Sequence, residues 1–176
     1  RSTEVSAGFG QGDLDDSAQH RIDAWKTAIN MAAARPLTGI GIGNFSQMYY
    51  SYTEHWHNRA IAAHSMWFQV LSEIGLVGFA LFAGMIWKSF TLNAETIRQL
   101  ERARAPPGPR ATALGLQAAL AGTCAAGTFL SQAYNWPLYM IIAMIAALAN
   151  QVASDSCEKS DSNGGHVGSR SAHLPR

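Results

Sequence analysis

The chain is poor in charge and in cysteine, and these absences exclude several classes of protein. Charged residues make up 14% of its 176 residues, against roughly 25% in an ordinary soluble domain. The formal net charge is only +1, so no basic field is present to attract phosphates, and no nucleic-acid partner is expected. Cys124 lies in an apolar run and Cys157 in a polar tail, which is not the spacing of a zinc site or a disulfide framework.

Signals for a bound metal or nucleotide are also missing. His55, His57 and His64 follow one another closely, but their H-x-H-x6-H spacing is not diagnostic of a zinc site, so zinc is not expected. The glycine-rich run 39–43 lacks the lysine and hydroxyl residue of a phosphate-binding loop. The sequence therefore predicts neither a metal nor a cofactor.

Apolar residues are abundant and concentrated in one half of the chain. They make up 48% of the whole and form three runs at about 66–87, 111–130 and 137–152. The first run matches the roughly 20 residues that cross the hydrocarbon of a bilayer. Trp67 and Trp87 lie near its ends, as in an interfacial aromatic belt. These patterns predict an all-α, polytopic integral membrane protein with three transmembrane helices over 66–152.

The regions on either side of these runs are polar. Residues 1–65 are predicted to form an external loop with an amphipathic helix at about 17–35, and residues 153–176 a disordered tail. Lysine and arginine are frequent in 88–110 and absent from 131–136. Because positive charge favours the cytoplasmic side, 88–110 and the tail are expected there, with 1–65 on the opposite side.

Five polar residues are candidates for chemistry. His64 lies just before the first span and can accept a proton near neutral pH, although a solvated interfacial histidine would look the same. An arginine side chain can bind a phosphate through two hydrogen bonds, or be an ordinary solvated charge. Glu73 lies inside the span, where an ionisable group usually faces a cavity or the polar interior of a bundle. The arginines considered are Arg21, Arg35 and Arg59.

Several short motifs occur in a recognisable order. They are Ser17-Ala18-Gln19-His20-Arg21, Pro36-Leu37-Thr38-Gly39-Ile40-Gly41-Ile42-Gly43-Asn44-Phe45, Ala63-His64-Ser65 and Leu71-Ser72-Glu73-Ile74-Gly75-Leu76-Val77-Gly78-Phe79. In this order and spacing the chain resembles the O-antigen ligase and polymerase superfamily over about 15–90. Around 62–71 it is most similar to the O-glycosylation ligases associated with exosortase systems.

The resemblance implies a GT-C-like bundle of many membrane helices, of which this chain would hold the periplasmic loop and the last three helices. Such proteins transfer a glycan from undecaprenyl diphosphate to a hydroxyl of a lipid or protein acceptor, without a metal, at the periplasmic face of the bacterial inner membrane. By matching position, Arg21 would hold the diphosphate and His64 would activate the acceptor hydroxyl. Arg35, Arg59 and Glu73 would contact substrate. Membrane lipid would be a further partner.

Two alternatives remain open at the level of sequence. One is a polymerase of the same superfamily, in which the acceptor is another carrier-linked glycan. The other is a non-catalytic membrane subunit that binds a partner through its outer loop. The chain begins at Arg1 without a visible signal peptide, so a piece of a longer protein is expected, and one that is inactive alone.

Overall fold

A computed structural model of the protein describes residues 11–54 and 61–164, with side chains over 18–54 and 61–156. Across these ranges every regular element is a helix, which confirms the all-α prediction. The helices, in chain order, are α1 (Gln11–Ala34), α2 (Phe45–Tyr52), α3 (Met66–Arg102), α4 (Pro107–Gly127) and α5 (Trp136–Gly164). The amphipathic helix predicted at about 17–35 corresponds to α1, which begins at Gln11.

Two helices are long and apolar enough to cross a membrane, judged by length and composition over the described residues. They are α3 and the part of α5 from Trp136 to Ser156. Helix α4 overlaps the predicted span 111–130, but it is not one of the two. Its sequence is rich in alanine and glycine and holds Arg110, Thr112 and Gln117, which lower its hydropathy. The chain is thus consistent with a helical membrane protein, and a crossing by α4 stays a prediction.

Helix α3 is longer than the sequence predicts. Its 37 residues extend about 55 Å at about 1.5 Å per residue, whereas hydrocarbon is roughly 30 Å thick. The charged residues after position 87, predicted to be a loop, are helical to Arg102. Glu95 lies 3.4 Å from Arg98, an i,i+3 pair of the kind that favours helix by a small amount, and 3.9 Å from Arg102, two turns further on.

Helix α5 also continues past its predicted end at position 152. Residues 153–164, predicted to be disordered, are helical, and residues 165–176 lie outside the described ranges. No proline or glycine interrupts the sequence between Pro137 and Gly164, so nothing local breaks the helix. The hydroxyls of Ser154 and Ser156 donate to the carbonyls four residues earlier, at 3.0 and 2.8 Å.

The chain divides into two compact units. The first unit comprises Arg1–Gly84 and Thr123–Asn135, and the second comprises Met85–Gly122 and Trp136–Arg176. In the first unit, helices α1 and α2 share one apolar cluster with the segment before α3. Alanines on α1 leave room there for two large rings of α2. The buried members are Ala24, Ala28, Met31, Phe45, Tyr49 and Ala63.

The second unit contains a buried polar contact between two helices. The side-chain amide of Asn93 on α3 donates to the Ala113 carbonyl and to Gln117 Oε1 on α4, both at 2.8 Å. Asn93 is fully buried. Amide hydrogen bonds of this kind hold helices together in apolar surroundings, where few other partners exist.

Candidate functional site

His64 lies at the turn by which the chain enters α3. It is half-buried, and its φ of 49° places it in the left-handed region, which histidine adopts more readily than most residues but which still costs energy. The backbone nitrogen of Gln69 donates to the Ser65 carbonyl at 3.0 Å, so the helical hydrogen bonds begin directly after His64. The imidazole is therefore held at the end of a membrane helix by a constrained backbone.

The first unit brings Arg21 to His64. Arg21 precedes Trp25 by one turn of α1, and Trp25 stacks on Phe68, with 5.4 Å between ring centroids and 21° between planes. Phe68 in turn follows His64 by four residues. The pKa of His64 lies below its ordinary value of 6.5, first because the ring is partly buried and second because of the positive charge of Arg21. The two residues predicted to be catalytic thus lie in one electrostatic neighbourhood.

This pairing suits a proton acceptor beside an anion. A lowered pKa keeps the His64 ring neutral at neutral pH, which is the form that takes a proton from a hydroxyl. The Arg21 side chain is exposed, so its guanidinium is open to a phosphate oxygen pair. A hydroxyl nucleophile and a phosphorylated leaving group are the reactants that such a pair can serve.

Three buried polar atoms on the elements that carry this pair lack partners in the part of the chain that the structure describes. Trp25 Nε1, Ser65 Oγ and Gln69 Oε1 are buried and have no hydrogen-bond partner among the described residues. Buried polar atoms are normally satisfied, so Trp25 Nε1 can donate to a polar ligand, while Ser65 Oγ and Gln69 Oε1 can accept from one. Sequence analysis did not select Trp25 or Gln69. The sequence signals for these two residues are that Gln69 is a polar residue inside an apolar span and that Trp25 lies one helical turn from Arg21.

The other predicted arginines are not part of this pair. Arg35 is exposed just after α1 ends. It follows Arg21 by 14 residues, which is about 21 Å along a helix axis. Arg59 lies outside the described residues, as do His55 and His57. Within the described part of the chain, no group of three or more His, Cys, Asp or Glu side chains could hold a metal ion.

Glu73 contacts a backbone amide rather than the Arg21–His64 pair. It is 1% exposed, and its Oε1 accepts a hydrogen bond from the Phe45 nitrogen at 3.2 Å. Phe45 is the first residue of α2, where amides have no partner within the helix. The second oxygen, Oε2, is buried without a hydrogen-bond partner in the described ranges. The substrate contact predicted for Glu73 stays a prediction.

A kink at Gly75 lets an outer loop bond to the backbone of α3. Gly75 has φ 69° and ψ −170°, which is not helical. In an unbroken helix the Leu76 nitrogen would donate to the Ser72 carbonyl. Here the Leu76 nitrogen donates to the Pro36 carbonyl at 2.7 Å, and the Ser72 carbonyl accepts from the Ile40 nitrogen at 3.0 Å.

The joint formed by these backbone bonds, between loop residues 36–41 and α3, requires glycine on both sides. The Gly41 nitrogen donates to the Glu73 carbonyl at 2.9 Å. A Cβ on Gly39 would collide with the Glu73 backbone, and one on Gly75 would lie 2.6 Å from the Leu37 carbonyl carbon. Both glycines also have positive φ, where a side chain is strained. The close backbone approach between loop and helix thus explains both glycines.

Comparisons with known proteins concern the same part of the chain. Residues 2–83 match a family model described as O-antigen ligase. The chain is similar to putative polysaccharide ligases of Rickettsia felis and Rickettsia bellii, at 29% and 32% identity over 79 residues. Each match covers 41% of this chain and 19% of the relative, so the matched region spans about a fifth of these curated proteins. No solved structure matches the chain.

Proposed function

We propose that this chain carries the catalytic base of a membrane glycan ligase. Its residues 2–83 make it a member of the O-antigen ligase superfamily. The donor is a glycan linked to undecaprenyl diphosphate, and the acceptor is a hydroxyl of a lipid or protein. His64 and Arg21 perform the chemistry. Arg35 and Arg59 remain candidates for substrate contacts elsewhere on a long donor.

The reaction is a substitution at the anomeric carbon of the donor sugar. The acceptor oxygen forms a bond to that carbon while the bond to the diphosphate oxygen breaks. Undecaprenyl diphosphate leaves with the electron pair, and His64 takes the proton of the acceptor hydroxyl. Attack opposite the leaving group inverts the anomeric centre. No metal or cofactor is required, because the leaving diphosphate is already a stable anion.

Arg21 contributes through charge. Negative charge grows on the diphosphate oxygen as its bond to the sugar breaks, and a fixed guanidinium nearby stabilises that charge more in the transition state than in the ground state. The same positive charge lowers the pKa of His64. One arginine thus favours departure of the leaving group and also keeps the base neutral.

The proposed location is the bacterial inner membrane, with the site facing the periplasm. Two apolar helices support a membrane position, and His64 lies immediately before one of them. The clustering of lysine and arginine over 88–110 favours a cytoplasmic position for this segment, which follows the apolar part of α3. The region before α3 would then be periplasmic, where a carrier-linked glycan and its acceptor meet.

The observation that carries this proposal is the position of His64 at the start of α3, where the Trp25–Phe68 stack joins α3 to the helix of Arg21. Its test is complementation with the complete gene product carrying His64→Ala or Arg21→Ala, in a strain that lacks the gene. At equal membrane abundance, His64→Ala should lose attached glycan and Arg21→Ala should strongly reduce it, while carrier-linked glycan accumulates. The matched control is Lys26→Ala, an exposed cation on the same helix about 140° away from Arg21.

The same experiment separates the two alternatives. A polymerase of the superfamily would also need His64, but its loss would shorten the carrier-linked glycan to single repeat units. A non-catalytic subunit that binds a partner would tolerate both substitutions. Full glycan attachment by His64→Ala at normal abundance would remove His64 from the mechanism and leave the partner-binding function.

A further inference from the structure

We infer that Glu73 is a positioning residue, whose carboxylate holds the start of α2 and thereby sets Arg21 against His64. This inference rests on the proposed function, because it concerns the geometry of the same site. It assigns Glu73 a role that acts through α2 rather than through contact with substrate.

The first step is the contact between Glu73 and α2. The Glu73 side chain is 1% exposed, and its Oε1 accepts from the Phe45 nitrogen at 3.2 Å. The first amides of a helix lack partners and carry partial positive charge. The Glu73 side-chain oxygen satisfies an otherwise unpaired donor, so α2 is fixed to α3 by a buried hydrogen bond.

The second step connects α2 to the helix that carries Arg21. Phe45 and Tyr49 of α2 lie in the same buried cluster as Ala24 and Ala28 of α1. At the other end of α2, the Asn30 side-chain amide donates to the Tyr52 carbonyl at 3.1 Å. A shift of α2 would therefore displace α1, since the small side chains of the alanines cannot rearrange to absorb the movement.

The third step connects α2 to His64. The Ser46 hydroxyl donates to the Ile61 carbonyl at 3.2 Å, which ties α2 to the segment that leads into α3. Ala63, the residue before His64, is 2% exposed and belongs to the same cluster as Phe45. The position of α2 thus influences both members of the Arg21–His64 pair, from α1 on one side and from Ala63 on the other.

Glu73 itself does not reach this pair along the helix. It follows His64 by nine residues, which corresponds to about 13 Å of rise. Its Oε1 is occupied by Phe45, and its near-complete burial keeps the carboxylate away from a substrate in solvent. Its effect on catalysis is therefore indirect.

The test compares Glu73→Gln with Glu73→Ala in the complete gene product. The glutamine oxygen can still accept from the Phe45 nitrogen, so this variant should keep most of the ligation rate. The alanine variant should lose roughly 10- to 100-fold in rate at equal membrane abundance, because small displacements of reacting groups cost that much. The matched control is Ser72→Ala, a neighbouring buried residue whose hydroxyl, among the described residues, donates to carbonyls of its own helix, Phe68 and Gln69.

The pH dependence of the rate distinguishes positioning from a general loss of folding. If Glu73→Ala moves Arg21 away, the acid limb of the profile should shift to higher pH, as it should in Arg21→Gln. The double variant should then be no worse than Arg21→Gln alone. Equal losses in Glu73→Gln and Glu73→Ala would show that the carboxylate acts chemically and would overturn the inference.

The outcomes also separate this inference from the proposed function. Loss of ligation in His64→Ala together with a normal rate and pH profile in Glu73→Ala would leave the glycan ligase intact and refute positioning by Glu73. Normal ligation in His64→Ala would refute the ligase mechanism itself, whatever Glu73 does.

Discussion

The rings of Trp25 and Phe68 stack with 5.4 Å between their centroids, and this contact aligns the helix that carries Arg21 with the helix that follows His64. Trp25 lies four positions after Arg21, and Phe68 lies four positions after His64. The stacked rings therefore hold the segments that carry Arg21 and His64 against each other. The consequences for rate, for pH dependence and for folding can be measured separately.

Replacing Trp25 by alanine should lower the ligation rate at unchanged membrane abundance. A stacked aromatic pair contributes about 0.5–1.5 kcal/mol beyond simple burial, so a decrease of roughly 2- to 10-fold is expected as Arg21 loses its fixed position. Trp25→Phe should retain most of the rate, because a ring remains against Phe68. Ile22→Ala, at an exposed position on α1, is the control. An unaffected Trp25→Ala enzyme would contradict the role assigned to the stack.

The rate should fall on the acid side as His64 becomes protonated. Burial and Arg21 both lower the pKa of His64 below 6.5, so the neutral base should persist below that pH in the native protein. Arg21→Gln removes one of the two causes, which should raise the His64 pKa and move the acid limb to higher pH. Initial rates of glycan transfer across pH 5 to 8, the range in which histidine changes charge, would measure the shift. Lys26→Gln should leave the limb in place, and a limb that moves to lower pH in Arg21→Gln would contradict the electrostatic pairing.

Replacing Gly75 by alanine should destabilise the first unit. Its φ of 69° is strained for alanine, and the new Cβ would lie 2.6 Å from the Leu37 carbonyl carbon. The cost is of order 1–3 kcal/mol from backbone conformation alone. Thermal unfolding of the detergent-solubilised complete protein would measure it. Gly84→Ala is the matched control on the same helix, because its Cβ would meet no atom within 4 Å. Equal unfolding temperatures for the two variants would mean that the kink is dispensable.

The helical character of the chain is predictable from its sequence, whereas the helix ends and the backbone bonds at Gly75 are not. Apolar runs with a tryptophan near each end are visible without a structure. The sequence does not reveal the extension of α3 to Arg102, because charged residues after an apolar run are typical of a loop, whereas here Glu95 pairs with arginines along the same helix. The kink was missed because glycine is common in membrane helices, and Gly75 differs only in its φ.

The role of Glu73 could not be predicted for a related reason. Its partner is the backbone nitrogen of Phe45, 28 residues away, and a backbone amide has no sequence signature. The same holds for the bonds from Pro36 and Ile40 to α3. The order of the motifs groups Arg21 and His64 in one region of the sequence. Only the folded chain shows which backbone groups connect the elements around them.

The exchange of backbone bonds at Gly75 also has a mechanical consequence. Because the Leu76 nitrogen and the carbonyls of Ser72 and Glu73 take their partners from the outer loop, pulling the loop away would leave these groups unpaired in apolar surroundings, at several kcal/mol each. The joint should therefore resist gradual opening and yield all at once. A force on the outer loop would therefore be transmitted through main chain into α3, rather than absorbed by a compliant hinge.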